Sequence, residues 1–223
     1  MEYYNLLDSA PKVARDVSAR LENKEENRRL ALKYDFEYYD GTREQGYGGY
    51  HYDGRWVAVA ERLVERYNLT ADSRVLDIGC AKGFLVKDLL DTVVGIEVVG
   101  LDISSYALQN AHPDSVGHLV MGACDRLPFA DGSFDLALSI NTAHNLDEKG
   151  CFRSIQEIQR VSPRAAFVQF DAYRDESERQ LFEDWMLTAQ TYFTPEDWLK
   201  FLGRAGYTGD YYWTILLPDG DVL

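Results

Sequence analysis

The chain has 223 residues, with 23 Lys and Arg against 37 Asp and Glu, so its formal net charge is −14. Apolar residues make up 46% and aromatic residues 13% of the chain, which excludes a disordered or fibrous protein. The acidic excess disfavours nucleic acid or an anionic membrane as partner, because both need a basic surface, although a local basic pocket could exist within an acidic chain.

The N-terminal residues lack the basic start and apolar run of a signal peptide, and no stretch approaches the roughly 20 apolar residues of a membrane helix. The three cysteines, Cys80, Cys124 and Cys151, include no Cys-x-x-Cys pair, which disfavours a disulfide framework and a zinc site. We therefore expect a cytoplasmic protein with reduced thiols and no bound metal.

The N-terminal quarter combines a predicted helix with an aromatic loop. Residues 11–34 are rich in charged side chains, with Val13, Val17, Leu21 and Leu30 at roughly helical spacing, which predicts a solvated amphipathic helix. Residues 35–56 interleave five tyrosines with five glycines, a composition typical of a loop that lays aromatic rings against another surface.

From residue 55 onward, predicted helices alternate with short apolar strands. Helices are predicted over 55–67, 84–90, 104–110, 147–161 and 195–205, and strands over 74–78, 96–102, 118–121, 134–140, 165–170 and 210–217. This alternation predicts a single α/β domain over residues 1–223, with a doubly wound, mostly parallel sheet and its ligand beyond the carboxyl ends of the strands. The terminal strands could insert antiparallel at one edge.

The run over residues 75–84 carries the most specific signal. Asp77 ends the first strand, and Gly79 and Gly83 bracket a turn into a helix, where close backbone approach suits a ligand. A nicotinamide fingerprint has Gly-x-Gly-x-x-Gly, whereas the spacing here is Asp-x-Gly-x-x-x-Gly. The acid favours a cationic ligand over a pyrophosphate, which disfavours a nicotinamide oxidoreductase. An alternative is that the glycines serve only helix–strand packing.

Two more acids follow neighbouring strands. Asp102 ends the second strand, where a ribose hydroxyl pair is commonly bound. Asp125 follows the third strand and could accept a hydrogen bond from the exocyclic amine of an adenine, with Arg126 or Leu127 packing beside the ring. The loop and the two acids together predict a cofactor site.

Residues 73–140 resemble the class I S-adenosylmethionine-dependent methyltransferases. The resemblance implies a seven-stranded sheet with an antiparallel edge strand, helices on both faces, and S-adenosyl-L-methionine as cofactor. It places the glycine loop under the methionine part, Asp102 at the ribose and Asp125 at the adenine. The stretch Leu-Pro-Phe-x-Asp-Gly-Ser-Phe-Asp is similar to the branch that acts on small molecules. One departure is Ala81, which replaces the middle glycine of the usual loop.

Related enzymes carry a lid ahead of the first strand, so residues 1–56 are predicted to form an N-terminal helix and an aromatic lid. The alternative is a hydrophobic pad between that helix and the core. The predicted cofactor-binding residues are Asp77, Gly79, Cys80, Ala81, Gly83, Asp102, Ile103, Asp125, Arg126, Asn141, Tyr50 and Arg55.

The sulfonium of this cofactor already activates its methyl group, so a general base is needed only for a poor nucleophile. His144, just after the fourth strand, and His51 in the aromatic loop are the candidate catalytic bases, although His144 could instead cap a helix or position the loop. The predicted substrate-binding residues are Tyr47, Asn145, Tyr173, Trp185 and Tyr192, of which the last three lie in a substrate-side insert over 171–194. Core packing would explain the spacing of those three equally well.

The sequence therefore predicts methyl transfer to an oxygen, nitrogen or carbon atom of a small molecule. The alternative is a non-catalytic domain that binds a cofactor or partner and retains the fold. We expect no nucleic acid and no membrane among the partners, and a homodimer is left open.

Overall fold

Six strands form one all-parallel sheet in the order β3-β2-β1-β4-β5-β6 in the computed structural model, which describes residues 1–9, 15–218 and 220. The strands are β1 Arg74–Ile78, β2 Glu97–Asp102, β3 Leu119–Met121, β4 Leu136–Ile140, β5 Ala166–Ala172 and β6 Asp210–Ile215. The strand order reverses direction between β1 and β4, so the crevice at their carboxyl ends is the switch point where α/β proteins bind ligands.

Nine α-helices accompany the sheet within the described ranges. They are α1 Val17–Leu21, α2 Lys24–Ala31, α3 Phe36–Tyr39, α4 Val57–Tyr67, α5 Phe84–Thr92, α6 Ser105–Gln109, α7 Glu148–Val161, α8 Glu176–Trp185 and α9 Pro195–Arg204. Helices α6 to α9 each begin after a Ser, Asp or Thr whose side chain accepts a hydrogen bond from a backbone N–H of the first turn. Short 3₁₀ helices lie at Leu6–Ser9, Pro113–His118 and Ala143–Asn145.

The alternation of side chains along the strands buries both faces of the sheet. Leu76 and Val168 belong to a core that includes residues of α7 and α9, with Trp198 stacked 4.2 Å from Phe170. Val75 points into the opposite core with residues of α4 and α5. The predicted α/β architecture with helices on both faces is confirmed. In the described part of the chain, no helix is long and apolar enough to cross a membrane.

The prediction of seven strands with an antiparallel edge was wrong for the described residues. β6 pairs parallel with β5, from Phe167 opposite Asp210 to Ala172 opposite Ile215. Because α8 and α9 lie between these two strands in sequence, the chain returns across the sheet before β6 begins and runs in the same direction as β5.

The single solvated helix predicted over 11–34 is also incorrect where the structure describes it, since residues 10–14 lie outside the description. Asn23 has a left-handed φ of 56°, a conformation that Asn tolerates, and this residue separates α1 from α2. The break lets basic side chains reach across to α8 and the residues after it. Arg20 donates to the backbone carbonyl of Trp185 at 3.2 Å, and Arg28 donates to that of Ala189 at 3.1 Å.

Candidate cofactor and acceptor site

The loop between β1 and α5 has a backbone that requires glycine at two positions. Gly79 and Gly83 have left-handed φ values of 84° and 73°. A Cβ at Gly79 would overlap the side chain of Thr142, and a Cβ at Gly83 would overlap Ser115. Packing alone therefore explains both glycines, so they do not by themselves identify a ligand. Ala81 adopts a φ of 52° between them, and its N–H donates to Asp102 at 2.8 Å.

Two buried acids stand beside this loop without a basic partner among the described residues. Asp77 is 5% exposed and Asp102 is 6% exposed. The carboxylate of Asp102 accepts backbone hydrogen bonds from Ala81 and Ser104, both at 2.8 Å. Burial, together with the charge of Asp102, raises the pKa of Asp77 to about 7. Such an uncompensated pair fits a ligand that brings an ammonium group and hydroxyl donors.

The aromatic segment, residues 34–56, covers this loop. Tyr39 is buried in a cluster with Ala81 and Ala107, and the ring of Tyr50 stacks 4.9 Å from that of Phe84. The structure thus places the segment over the predicted cofactor loop. That this segment acts as a lid remains a prediction from the sequence, with a fixed hydrophobic pad as the alternative.

An ion pair fastens the aromatic segment to the loop. Asp40, next to α3, accepts hydrogen bonds from Lys82 at 2.7 and 2.8 Å and from the Tyr106 hydroxyl at 2.7 Å. The backbone N–H of Tyr50 donates to the same carboxylate at 3.1 Å. Lys82 belongs to the glycine loop and is only 5% exposed, so this Asp40–Lys82 latch is largely shielded from water.

A cavity of about 470 Å³ lies where β4, β5 and β6 end. Its sheet wall comprises Asn141, Gln169, Asp171, Tyr212 and Thr214, together with His144 from the turn after β4. The opposite wall comes from the N-terminal segments and from residues 185–189. The cavity therefore joins the predicted reaction side of the sheet to the inner surface of the aromatic segment.

His144 and Asp171 form a buried pair on the cavity wall. The Asp171 backbone N–H donates to His144 Nδ1 at 3.2 Å, and His144 Nε2 lies 3.6 Å from Asp171 Oδ2. Burial, opposed by the charge of Asp171, lowers the pKa of His144, so the ring is neutral at pH 7. Because Nδ1 accepts, the tautomer inferred from this hydrogen bond carries its proton on Nε2, toward the carboxylate. The carboxylate, not the imidazole, thus keeps free lone pairs.

Three polar atoms of the cavity lining are buried without a hydrogen-bond partner in the described part of the chain. They are Oδ1 of Asn141, Oε1 of Gln169 and Nη1 of Arg15. Because buried polar groups in folded proteins are nearly always paired, two acceptors and one donor in one cavity give it hydrogen-bonding capacity that water or a polar ligand would fill.

Several predicted cofactor residues lie outside the cavity lining. Ile103 is 57% exposed, and Arg126 is exposed as well. Asp125 pairs with Arg153 at 2.8 Å, which occupies part of the hydrogen-bonding capacity that adenine would use. Cys80 is buried in the core on the α4 and α5 side of the sheet, so its side chain has a packing role.

The predicted catalytic and substrate residues divide between the cavity and its surroundings. His144, His51, Tyr47 and Trp185 line the cavity, as do Tyr50, Arg55 and Asn141 from the predicted cofactor set. Tyr173 and Tyr192 pack against each other outside it, with ring centroids 6.3 Å apart, and Asn145 donates to the Asn141 carbonyl at 3.3 Å. No group of three His, Cys, Asp or Glu side chains suited to a metal occurs within residues 1–9, 15–218 and 220.

The sequence patterns did not single out Arg15, Arg20, Arg43, Gln169 or Asp171 as binding residues, although all five line the cavity. The sequence did contain a signal for Gln169 and Asp171. They are two polar residues, two positions apart and so on the same face, in the otherwise apolar strand β5. For the arginines no such signal existed, since charged residues usually face water, both in a helical pattern as at Arg15 and Arg20 and in a glycine-rich loop as at Arg43.

Comparison with known proteins identifies the domain type. Residues 76–167 match the family model described as a methyltransferase domain. The malonyl-[acyl-carrier protein] O-methyltransferase of Legionella pneumophila is 32% identical over 111 residues, which covers 47% of this chain and 39% of that protein. The mitochondrial arginine-hydroxylase NDUFAF5 of Mus musculus is 29% identical over 114 residues, which covers 49% of this chain and 32% of that protein.

Solved structures share the same fold. A Bacillus halodurans protein, solved as a candidate methyltransferase, superposes with a TM-score of 0.54 at 19% identity, covering 66% of this chain and 68% of the other. At that identity the likeness concerns the fold alone. The chain spans about two fifths or less of the length of the two curated relatives described above.

Proposed function

Since residues 76–167 form a methyltransferase domain of the class I S-adenosylmethionine-dependent type, we propose that the protein methylates an oxygen, nitrogen or carbon atom of a small molecule. The observation that supports this most is the continuity between the glycine loop and the cavity. Asn141 lines the cavity, and the next residue, Thr142, packs against Gly79. Cofactor and acceptor would therefore meet at the end of β4.

The residues beside the loop suit the cofactor. Asp77 would face its ammonium group, the loop over 79–83 its methionine part, Asp102 the ribose hydroxyls and Asp125 the adenine. Asn141, with its unpartnered Oδ1, and Tyr50 and Arg55 from the aromatic segment would complete the methionine end. The relatives' reactions include O-methylation and hydroxylation, so the reaction of this chain needs a direct test.

The cavity residues would orient the acceptor and receive its proton. S-adenosylmethionine supplies an electrophilic methyl group, so the chain must chiefly align a nucleophile and exclude water. For an acceptor bearing an O–H or N–H, the proton passes to the Asp171 carboxylate. His144, predicted as the base from the sequence, then positions Asp171 by accepting its backbone N–H at Nδ1, with Nε2 3.6 Å from the carboxylate. His51, at the exposed rim, has no such partner in the described residues.

Two measurements test this function. Isothermal titration with S-adenosylhomocysteine should show binding by the wild type that D102N weakens by at least tenfold, whereas the exposed-site control D72N should bind normally. Release of S-adenosylhomocysteine from S-adenosylmethionine should depend on the low-molecular-mass fraction of a cell extract. D171N should lower this turnover by at least about 100-fold, the lower end of the range for lost proton transfer.

Other outcomes would contradict the proposal. Absence of S-adenosylhomocysteine binding would exclude the cofactor assignment, and binding without turnover would favour a non-catalytic domain. Turnover only with the macromolecular fraction would exclude a small-molecule acceptor. A cytoplasmic location, a homodimer and the lack of a metal remain predictions.

A further inference from the structure

The cavity concentrates positive charge in an acidic protein. Four arginines line it, namely Arg15, Arg20, Arg43 and Arg55, whereas the lining contains one acid, Asp171. The whole chain carries a formal net charge of −14. A basic cavity is therefore a local feature that the overall composition conceals.

Little of this charge is neutralised among the described residues. Arg55 pairs with Asp53 at 2.6 Å. Arg20 donates to the backbone carbonyl of Gly46 at 2.8 Å, and Arg43 to that of Tyr47 at 2.9 Å, so their partners carry no formal charge. Arg15 Nη1 has no hydrogen-bond partner within the described ranges.

Two of these cations share one aromatic surface. The guanidinium carbons of Arg15 and Arg20 lie 4.1 and 4.5 Å from the ring centre of Trp185. Burial and the nearby charge of Arg43 lower the pKa of Arg20 to about 10. Burial also lowers the pKa of Arg15, with Asp171 opposing and Arg43 reinforcing that change. Like charges gathered without a counter-ion are unfavourable, and a bound anion would relieve the repulsion.

We propose that the acceptor of this protein carries an anionic oxygen group, a phosphate or a carboxylate, which Arg15, Arg20 and Arg43 hold in the cavity. The planar guanidinium fork matches both groups through paired N–H donors. The neutral part of the acceptor would extend toward Gln169 and Asn141, with its reacting atom near Asp171. The assignment to the acceptor rests on the proposed methyltransferase function, whereas the anion site itself does not.

The test is direct binding of small anions at constant ionic strength in chloride. Wild-type protein is titrated calorimetrically with inorganic phosphate, pyrophosphate and succinate, which separates a phosphate from a carboxylate preference. We expect R15Q and R43Q each to weaken the preferred anion at least tenfold and R15K to weaken it less, since Lys keeps the charge but not the fork. The matched control R164Q, at an exposed arginine outside the cavity, should bind as the wild type.

The same variants are titrated with S-adenosylhomocysteine to separate the two proposals. We expect its affinity to be unchanged in R15Q and R43Q. If both ligands weaken equally, the arginines hold the cofactor's carboxylate and the proposal is wrong. If no anion binds the wild type, or if R164Q lowers the affinity for the anion as much as R15Q does, the cavity arginines have only a structural role and the proposal is equally wrong. Failure of S-adenosylhomocysteine to bind wild-type protein would instead contradict the methyltransferase function.

Discussion

Asp77 combines burial, a neighbouring acid and the absence of a basic partner among the described residues. Together these raise its pKa to about 7, from an unfolded value of about 3.9. Between those two values the folded state holds a proton that the unfolded state has lost. The free energy of unfolding of the ligand-free protein should therefore fall as pH rises through this window. D77N should reduce that fall and leave the part due to Asp102, whose pKa burial also raises.

The proposed role of Asp77 in the cofactor site predicts that the same titration governs cofactor affinity. The ammonium group of S-adenosylhomocysteine favours ionised Asp77, so its dissociation constant should fall about tenfold between about pH 6 and about pH 8. D77N should bind more weakly and show no such pH dependence, whereas D72N, at an exposed acid, should behave as the wild type. Isothermal titration across this range provides the measurement. An unchanged pH slope in D77N would mean that another group titrates.

Ala81 tests how tightly the loop backbone is constrained. Its φ of 52° is left-handed, which costs an alanine roughly 1–2 kcal/mol. A81G removes that strain but adds about 0.5–1 kcal/mol of unfolded-state entropy, so we expect a change in unfolding free energy within about 1 kcal/mol. A81V, with a branched Cβ in the same conformation, should destabilise by more than about 2 kcal/mol. Urea denaturation measures both, and equal effects would contradict the strain argument.

At the scale of elements, the Asp40–Lys82 latch is the ion pair that holds the aromatic segment against the glycine loop. Burial acts to raise the pKa of Asp40, but hydrogen bonds from Lys82, Tyr106 and the Tyr50 backbone lower it overall. A depressed folded-state pKa means that the latch contributes full stability above about pH 4 and loses it as pH falls through the lower folded value. The latch should therefore be closed throughout the neutral range.

Removing the charge of Asp40 leaves a buried Lys82 without its partner. Breaking a buried pair on one side costs about 3–5 kcal/mol, because it leaves an uncompensated buried charge. We expect D40N to free the aromatic segment, seen as faster proteolysis within residues 34–56 and faster dissociation of S-adenosylhomocysteine. Y106F removes one hydrogen bond to the ionised Asp40 carboxylate and should cost about 1.5–3 kcal/mol, less than D40N. Equal proteolysis rates in D40N and the wild type would exclude the latch.

The elements differ in how far the sequence determines them. Strands β1 to β5 and helices α5 to α9 follow from apolar periodicity and local caps, so all but α8 were predicted within a few residues. The direction of β6 depends on the end of the sheet at which α9 finishes, and hydrophobic periodicity carries no information about that position. Arg15 and Arg20 point inward because they contact Trp185, which is distant in sequence, so the basic wall of the cavity could not be predicted from the sequence. Asp77 and Asp102 could be predicted, because each stands at the end of an apolar strand.

At the scale of the whole molecule, the sign of the charge that lines the cavity is opposite to the net charge of the chain. Acidic residues dominate the chain, whereas the cavity gathers four arginines around one acid. Such a surface repels long polyanions at distances up to about the Debye length but leaves a small anion free to enter a cationic cavity. Selection against nucleic acid and binding of a small anionic molecule are therefore compatible properties of one acidic chain.

The contrast between a basic cavity and an acidic chain predicts opposite effects of salt on stability and on anion binding. Raising NaCl from roughly 0.01 M to roughly 0.15 M shortens the Debye length from about 30 Å to about 8 Å. Repulsion within a chain of charge −14 is then screened, so the thermal midpoint should rise, because exposed ion pairs contribute only about 0–1 kcal/mol each. Over the same range the affinity for pyrophosphate should fall, since its attraction to the arginines is screened. Calorimetry at each concentration measures both, with choline chloride as a check on cation-specific effects. A falling midpoint would show that surface ion pairs outweigh net repulsion in this fold.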